Sequence, residues 1–193
     1  MITVQQIKKI VIVGPESTGK STLCRQLADH YHSMWCPEYA REYLLKNGTN
    51  YTFENLLDIA KGQLALEEKT TDLLIEALIQ KMNSQPKPNA KPYLFIDTDM
   101  YVMKVWCEFV FGKCHNWILD RIVERKYDLY LLCKPDLPWV KDELREYPDE
   151  KTRIRLYHHY RELLTQQSIP WFEVSGLESE RLTKAVVAIE HHL

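Results

Sequence analysis

The chain has 193 residues, of which 45% are hydrophobic and 27% charged, with a net charge of −2. That is the make-up of one globular domain with its own core, and it excludes a disordered or fibrous chain. No basic tract offers a nucleic-acid surface, and no apolar run approaches the ~20 residues that span a bilayer.

The five cysteines (Cys24, Cys36, Cys107, Cys114, Cys133) are odd in number and form no C-x-x-C pair. With no secretory leader visible, reduced thiols and a cytoplasmic location are expected. Cys107, Cys114 and His115 fit no zinc spacing. His158-His159 and His191-His192 are neighbours that do not share a helix face, and read as surface residues.

Lys8–Val13 is a short β-branched strand of the buried parallel kind. It runs into Gly14-Pro15-Glu16-Ser17-Thr18-Gly19-Lys20-Ser21-Thr22, a G-x-x-x-x-G-K-S phosphate cradle. Two glycines give the loop its turns, and backbone N–H groups from Ser17 to Thr22 point inward at an anion. Lys20 reaches β- and γ-phosphates, and the Ser21 hydroxyl sits on Mg²⁺. Gly14, Glu16, Ser17, Thr18, Gly19, Lys20, Ser21 and Thr22 are the candidate nucleotide-binding residues. The helix Ser21–Tyr31 follows, with Leu23, Leu27 and Tyr31 at spacings of four.

Met34–Cys36 is a brief strand, and Glu38–Lys46 is helical up to Asn47-Gly48. Phe53–Met82 is the longest helical pattern, expected to break near Gly62 or within Glu67–Thr71. Asn83–Pro92, with three of the nine prolines, is a loop. Tyr93–Ile96 is a strand that delivers Asp97-Thr98-Asp99. Tyr101–Phe111 is a largely buried helix, and Trp117–Arg125 is another. Leu129–Cys133 is a strand. Lys134–Thr152, with three prolines and ten charged residues, is a mobile functional segment. Arg153–Gln167 is a helix, Trp171–Val174 a strand, and Glu178–His192 the closing helix.

Alternating strands and helices predict an α/β fold: a five-stranded, mainly parallel sheet with helices on both faces, in three layers, over residues 1–193 as a single domain. Ligands then gather at the carboxyl ends of the strands. An apolar strand ending in Asp97 beside the loop offers the acid for Mg²⁺. Asp99 is either the cap of the next helix or a substrate contact. Glu38 and Arg41 share a helix face. Glu38 can accept a hydroxyl proton or hold ribose hydroxyls, and Arg41 can neutralise charge on a transferring phosphoryl group; a surface ion pair is the plainer reading of the two. Arg145, Arg153 and Arg155 surround Pro148-Asp149-Glu150, as in a basic lid over a phosphate site, the plainer reading being a solvated loop. Tyr101, Trp106, Phe109 and Phe111 are core aromatics, one of them free to face a flat ring.

Together the blocks GPESTGKS (14–21), EYARE (38–42), AKGQ (60–63), IDTD (96–99), GK (112–113) and WVKDELR (139–145) resemble, in order, the kinase domain of the bacterial NadR-type ribosylnicotinamide kinases. The resemblance runs from Lys8 to about Glu190. It implies a nucleoside-kinase-like fold with ATP and Mg²⁺ as cofactors. It implies the 5′-hydroxyl of nicotinamide riboside as acceptor and nicotinamide mononucleotide as product. Lys20, Ser21 and Asp97 would hold phosphates and metal, and Glu38, Tyr39, Arg41 and Asp99 would face the substrate. Lys20, Glu38, Arg41 and Arg145, the last from a lid at about 134–152, would be catalytic. Two features depart from the family. Pro37 stands where some members have an aromatic residue that stacks on the nicotinamide ring. The cradle begins at residue 14, so the domains that precede it in multifunctional members are not expected, and a separate adenylyltransferase would take the product on. A nucleoside-type small molecule is the expected partner, with neither nucleic acid nor membrane, and homo-oligomerisation is compatible with the sequence. The rival readings are a kinase for another nucleoside or nucleotide and a regulatory ATP-binding switch. A GTPase lacks its N-K-x-D signature.

Overall fold

In the computed structural model, which describes residues 6–84 and 91–193, five strands form one sheet. The elements are β1 (Lys8–Val13), α1 (Lys20–His30), β2 (Met34–Cys36), α2 (Tyr39–Asn47), α3 (Phe53–Ser84), β3 (Tyr93–Asp97), α4 (Met100–Phe111), α5 (Asn116–Glu124), β4 (Leu129–Cys133), α6 (Glu150–Thr165), β5 (Trp171–Val174) and α7 (Glu178–His192). The strand order is β2-β3-β1-β4-β5, and every pairing is parallel. The central strand, β1, has β3 on one side and β4 on the other, with Ile12 opposite Asp97 and Val13 opposite Leu132. The cradle therefore leaves the sheet between the ends of two buried strands, where an open parallel sheet binds its ligands.

Successive strand residues point to opposite faces, and each face has its own core. Val11, Val13, Leu94, Ile96 and Leu132 pack with Leu74 and Leu78 of α3, Val102 and Val105 of α4, and Leu156 and Tyr160 of α6. Ile10, Ile12, Phe95, Leu129 and Leu131 pack with Leu23 and Leu27 of α1 and Ala185 and Ile189 of α7. A third cluster, away from the sheet, joins α2, α3, α4 and α5 through Ala40, Leu44, Ile59, Met103, Cys107 and Ile118. No helix of the described residues is long and apolar enough to cross a membrane.

The expected break in the long helix does not occur: α3 is continuous over 32 residues. Gly62 is there for packing. A Cβ on it would meet the Tyr39 ring at 2.0 Å, so the missing side chain is the seat of that ring. Glu67 lies inside the fold at 2% exposure, yet it is compensated by Lys9 at 2.8 Å, Arg125 at 3.1 Å and the Tyr127 hydroxyl at 2.9 Å. Thr70 and Thr71 donate their hydroxyls to the carbonyls of Leu66 and Glu67 one turn back, so both buried hydroxyls are satisfied inside the helix. The proline-bearing loop expected over Asn83–Pro92 has its residues 85–90 outside the described ones. The last polar segment is shorter than expected, because α6 starts at Glu150 with Asp149 as its cap, accepting from Thr152 N at 2.7 Å.

Candidate active site

Gly14 sits at φ +142°, and a Cβ there would come within 2.7 Å of the Cys133 carbonyl at the end of β4. Gly19, at φ +79°, is the N-cap of α1. Between them the Thr18 hydroxyl, fully buried, donates to the Pro15 carbonyl at 2.8 Å, and Lys20 Nζ donates to the same oxygen at 2.9 Å. The loop is thus closed on itself, with the amino end of α1 and its partial positive charge facing the cavity.

That cavity, of about 350 Å³, is lined by residues Gly14–Thr22 together with Glu38, Arg41, Asp97 and Arg145. The residues expected at the phosphate end thereby come together. Asp97 ends β3 at 0% exposure, and neither carboxylate oxygen has a partner in hydrogen-bond geometry. Burial, and then the charge of Glu38, push its carboxyl up to about 6, against the pull of the Lys20 ammonium and of the nearby Ser21 hydroxyl, which stands just outside hydrogen-bond geometry. Glu38 occupies the N-cap position of α2 without spending its side chain on the helix, and accepts from the Thr98 hydroxyl at 3.4 Å. Thr98 itself is held at φ +80°, a conformation that costs a β-branched residue on the order of 1–3 kcal/mol.

Gln63 escaped the sequence reading as a working residue. At 1% exposure it reaches from α3 to accept from Tyr39 N at 2.7 Å and to donate to the Pro37 carbonyl at 3.3 Å, fixing the peptides on either side of Glu38. The available signal was an amide within the apolar stripe of α3, between Ile59 and Glu67.

Several expected roles are corrected. Asp99 is a cap: it accepts from Tyr101 N at 3.0 Å, Val102 N at 3.2 Å and the Tyr130 hydroxyl at 2.8 Å, and is 1% exposed. Burial raises its carboxyl to about 6, opposed by those donors, and it does not line the cavity. Tyr39 turns its ring to Gly62 and is likewise not among the lining residues. Of the three lid arginines only Arg145 lines the cavity, with its guanidinium on the Val140 carbonyl. Arg153 is 5% exposed and donates to the Leu137 carbonyl at 3.3 Å, while Arg155 lies over the Phe109 ring at 4.6 Å. Arg41 is in a two-pronged pair with Asp142, both contacts at 3.1 Å, which holds the Asp142 carboxyl below its usual range. Glu16 belongs to the loop and lines the cavity, but its carboxylate accepts from donors within residues 139–147.

Away from the cradle the same cavity is walled by Pro37, Val105, Trp106, Phe109, Tyr147 and Tyr160. Tyr147 meets Phe109 edge-on at 5.3 Å. Trp106 Nε1 donates to the Tyr51 hydroxyl at 2.9 Å, which donates in turn to Glu146 at 2.9 Å. A second, more open groove that shares Ser17 and Gly19 with the cavity is lined by Leu137, Pro138, Val140 and Leu177.

Two curated relatives, the trifunctional NAD biosynthesis/regulator proteins NadR of Escherichia coli and Salmonella typhimurium, are each 27% identical over 168 residues. The match takes in 87% of this chain and 38% of theirs, so the chain spans well under half of their length. The fold is similar to that of a NadR protein solved in complex with NR, with a TM-score of 0.76 and 20% identity, over 98% of this chain and 50% of that one. It is also similar to thymidylate kinase from Candida albicans, with a TM-score of 0.63 and 16% identity, over 96% and 92%. These structures share the α/β architecture of nucleotide kinases. The family model for the AAA domain matches residues 9–181, which take in the cradle, Asp97, the segment after β4 and the whole sheet but for Lys8: the chain belongs to the AAA domain family.

Proposed function

We propose that the chain is an ATP-dependent kinase that transfers the γ-phosphate to the 5′-hydroxyl of nicotinamide riboside, forming nicotinamide mononucleotide. The observation that carries this reading is that one cavity is lined both by a phosphate cradle and by an aromatic wall, with Glu38, Arg41 and Asp97 in the same lining. A switch that only binds ATP has no use for the aromatic wall. Trp106, Phe109 and Tyr147 suit a flat ring, and the Glu146 carboxylate in the same lining suits a cationic one such as a pyridinium. They take over the stacking that Pro37 cannot supply. The NadR relatives, by name in NAD biosynthesis, and the NadR fold solved with NR support the choice of acceptor.

The donor's phosphates would lie on the backbone of Ser17 to Thr22 with Lys20 across them. Its base would lie in the groove between Leu137–Val140 and Leu177. Mg²⁺ fits Asp97 and Ser21: two buried carboxylate oxygens lack partners, and a hydroxyl stands at the first turn of α1. Bound there, the ion would neutralise phosphate charge. Glu38, free of capping duty, accepts the proton of the attacking hydroxyl. Arg41 and Arg145 neutralise charge on the phosphoryl group once they leave Asp142 and the Val140 carbonyl. Residues 1–193 act in this reading as one domain, with its lid between β4 and α6.

The test is a panel of nucleosides and nucleotides assayed for acceptor-dependent ADP release and phosphorylated product. Nicotinamide riboside should give the highest kcat/KM. Lys20→Ala should abolish turnover, and Glu38→Gln should lower kcat by about a hundredfold with acceptor binding retained. Turnover of another nucleoside with nicotinamide riboside inert would reassign the acceptor, and an unchanged rate in Glu38→Gln would remove Glu38 from the chemistry.

A further inference from the structure

Glu16 places a carboxylate inside a loop that must receive a polyphosphate. Left bare, it would repel the ligand the loop is built for. In the structure it is fully engaged by the lid. Oε1 accepts from Trp139 Nε1 at 2.9 Å and from Tyr147 N at 2.8 Å, and Oε2 accepts from Glu146 N at 2.9 Å. Its neighbour Ser17 accepts from Val140 N at 3.0 Å. Three donors on one carboxylate make charge-assisted bonds, roughly twice as strong as neutral ones.

The lid's two roots are fastened elsewhere. Arg181, 3% exposed, donates to Asp136 and to the Val174 and Lys134 carbonyls, and Arg153 donates to the Leu137 carbonyl. At the far root Asp149 caps α6. Removing Glu16 therefore loosens the tip at Trp139, Glu146 and Tyr147, while Arg41 on Asp142, Tyr51 on the Glu146 carboxylate and the roots stay in place.

We propose that Glu16 is a positioning residue, the cradle's own latch for the lid. With the tip away, the carboxylate adds negative charge beside the phosphate site. With the tip docked, three N–H groups neutralise it. Closure thus improves the site for phosphate, and by linkage phosphate favours closure. The docked tip carries Arg145 and Tyr147 into the cavity. The kinetic part of the proposal rests on the phosphoryl-transfer reading, and the exchange part does not.

Amide hydrogen exchange at Glu146 and Tyr147 reads the latch directly. Glu16→Ala should speed exchange at both by at least about tenfold, and a non-hydrolysable ATP analogue with Mg²⁺ should slow it about tenfold in the native chain and little in the variant. Equal exchange in the two proteins overturns the proposal. Glu16→Gln keeps one acceptor and removes the charge. It should show fast exchange at Glu146 alone, and it serves if the alanine variant does not fold. In kinetics, Glu16→Gln should lower kcat by about tenfold with the KM for ATP unchanged or lower, and raise the share of ATP lost to water. A rise in that KM with kcat unchanged overturns the latch. Trp139→Phe should cost kcat in the native chain and nothing more in Glu16→Ala, whereas additive losses would show that the two do not act together. If the native chain turns over no acceptor, the proposed function fails while the exchange result still decides the latch.

Discussion

Both oxygens of Asp97 are buried without a hydrogen-bond partner, beside a second acid. A carboxylate so placed destabilises the fold as long as it stays charged and unpaired. The sign follows from its proton affinity. Its carboxyl is raised from 3.8 to about 6 in the folded chain, so the folded state holds the proton over that window while the unfolded state has released it. Stability contributed by the protonated form is present below about 4 and is lost as pH rises through about 6. Asp97→Asn, in EDTA, should therefore be more stable than the native chain at pH 7.5, by ~1–3 kcal/mol, and the gap should close as pH falls towards about 4. The same variant should lose more than about a hundredfold in Mg²⁺-dependent turnover. Thermal unfolding across pH, beside the activity assay, checks both halves. Asp97 was legible in the sequence because an apolar strand delivered it next to the cradle. Glu16 was not, since nothing local distinguishes an acid facing phosphates from one facing a lid some 120 residues on.

At the scale of elements, α2 and α3 meet where the Tyr39 ring occupies the place of a missing side chain on Gly62. Two effects oppose each other in Gly62→Ala. Helix propensity favours alanine by about 1 kcal/mol. A Cβ at 2.0 Å from a ring carbon forces the ring or α2 to move, at ~1–3 kcal/mol for overpacking. The clash should win, with a net loss of about 1 kcal/mol in urea unfolding, and Tyr39→Ala should make the same substitution stabilising. The sequence reading took Gly62 for a helix breaker because propensity is a local property and its partner lies on another helix. Asp99 shows the converse. Capping is a local role, visible as an alternative in sequence, but only the Tyr130 hydroxyl, brought from β4, shows that its second oxygen is also occupied.

For the molecule as a whole, the two sheet cores explain why the architecture was readable. Buried parallel strands are short apolar runs, and the helices between them keep one apolar stripe. The site is less readable because it is assembled from strand ends far apart in sequence: the cradle after β1, Glu38 after β2, Asp97 ending β3 and Arg145 after β4. Each depends on the sheet for its place and on the ligand for its pairing. ATP with Mg²⁺ at a hundredfold over its Kd should add about 2.7 kcal/mol. For a chain of this size that is a rise in Tm of about 5–10 °C. Lys20→Ala should abolish most of the shift, and differential scanning fluorimetry with and without the nucleotide measures it against that variant's own unliganded Tm.

Tyr51 takes the Trp106 indole proton and gives its own to Glu146, so that the wall of the ring compartment and the strip of chain over the site share one hydroxyl. An acceptor whose base displaces Trp106 would then disturb Glu146 as well, through the hydroxyl the two share. Fidelity in such an arrangement is a matter of timing more than of affinity. In the proposed kinase, an ill-fitting nucleoside should therefore lower kcat more than it weakens binding, which a comparison of kcat and Kd across acceptors measures.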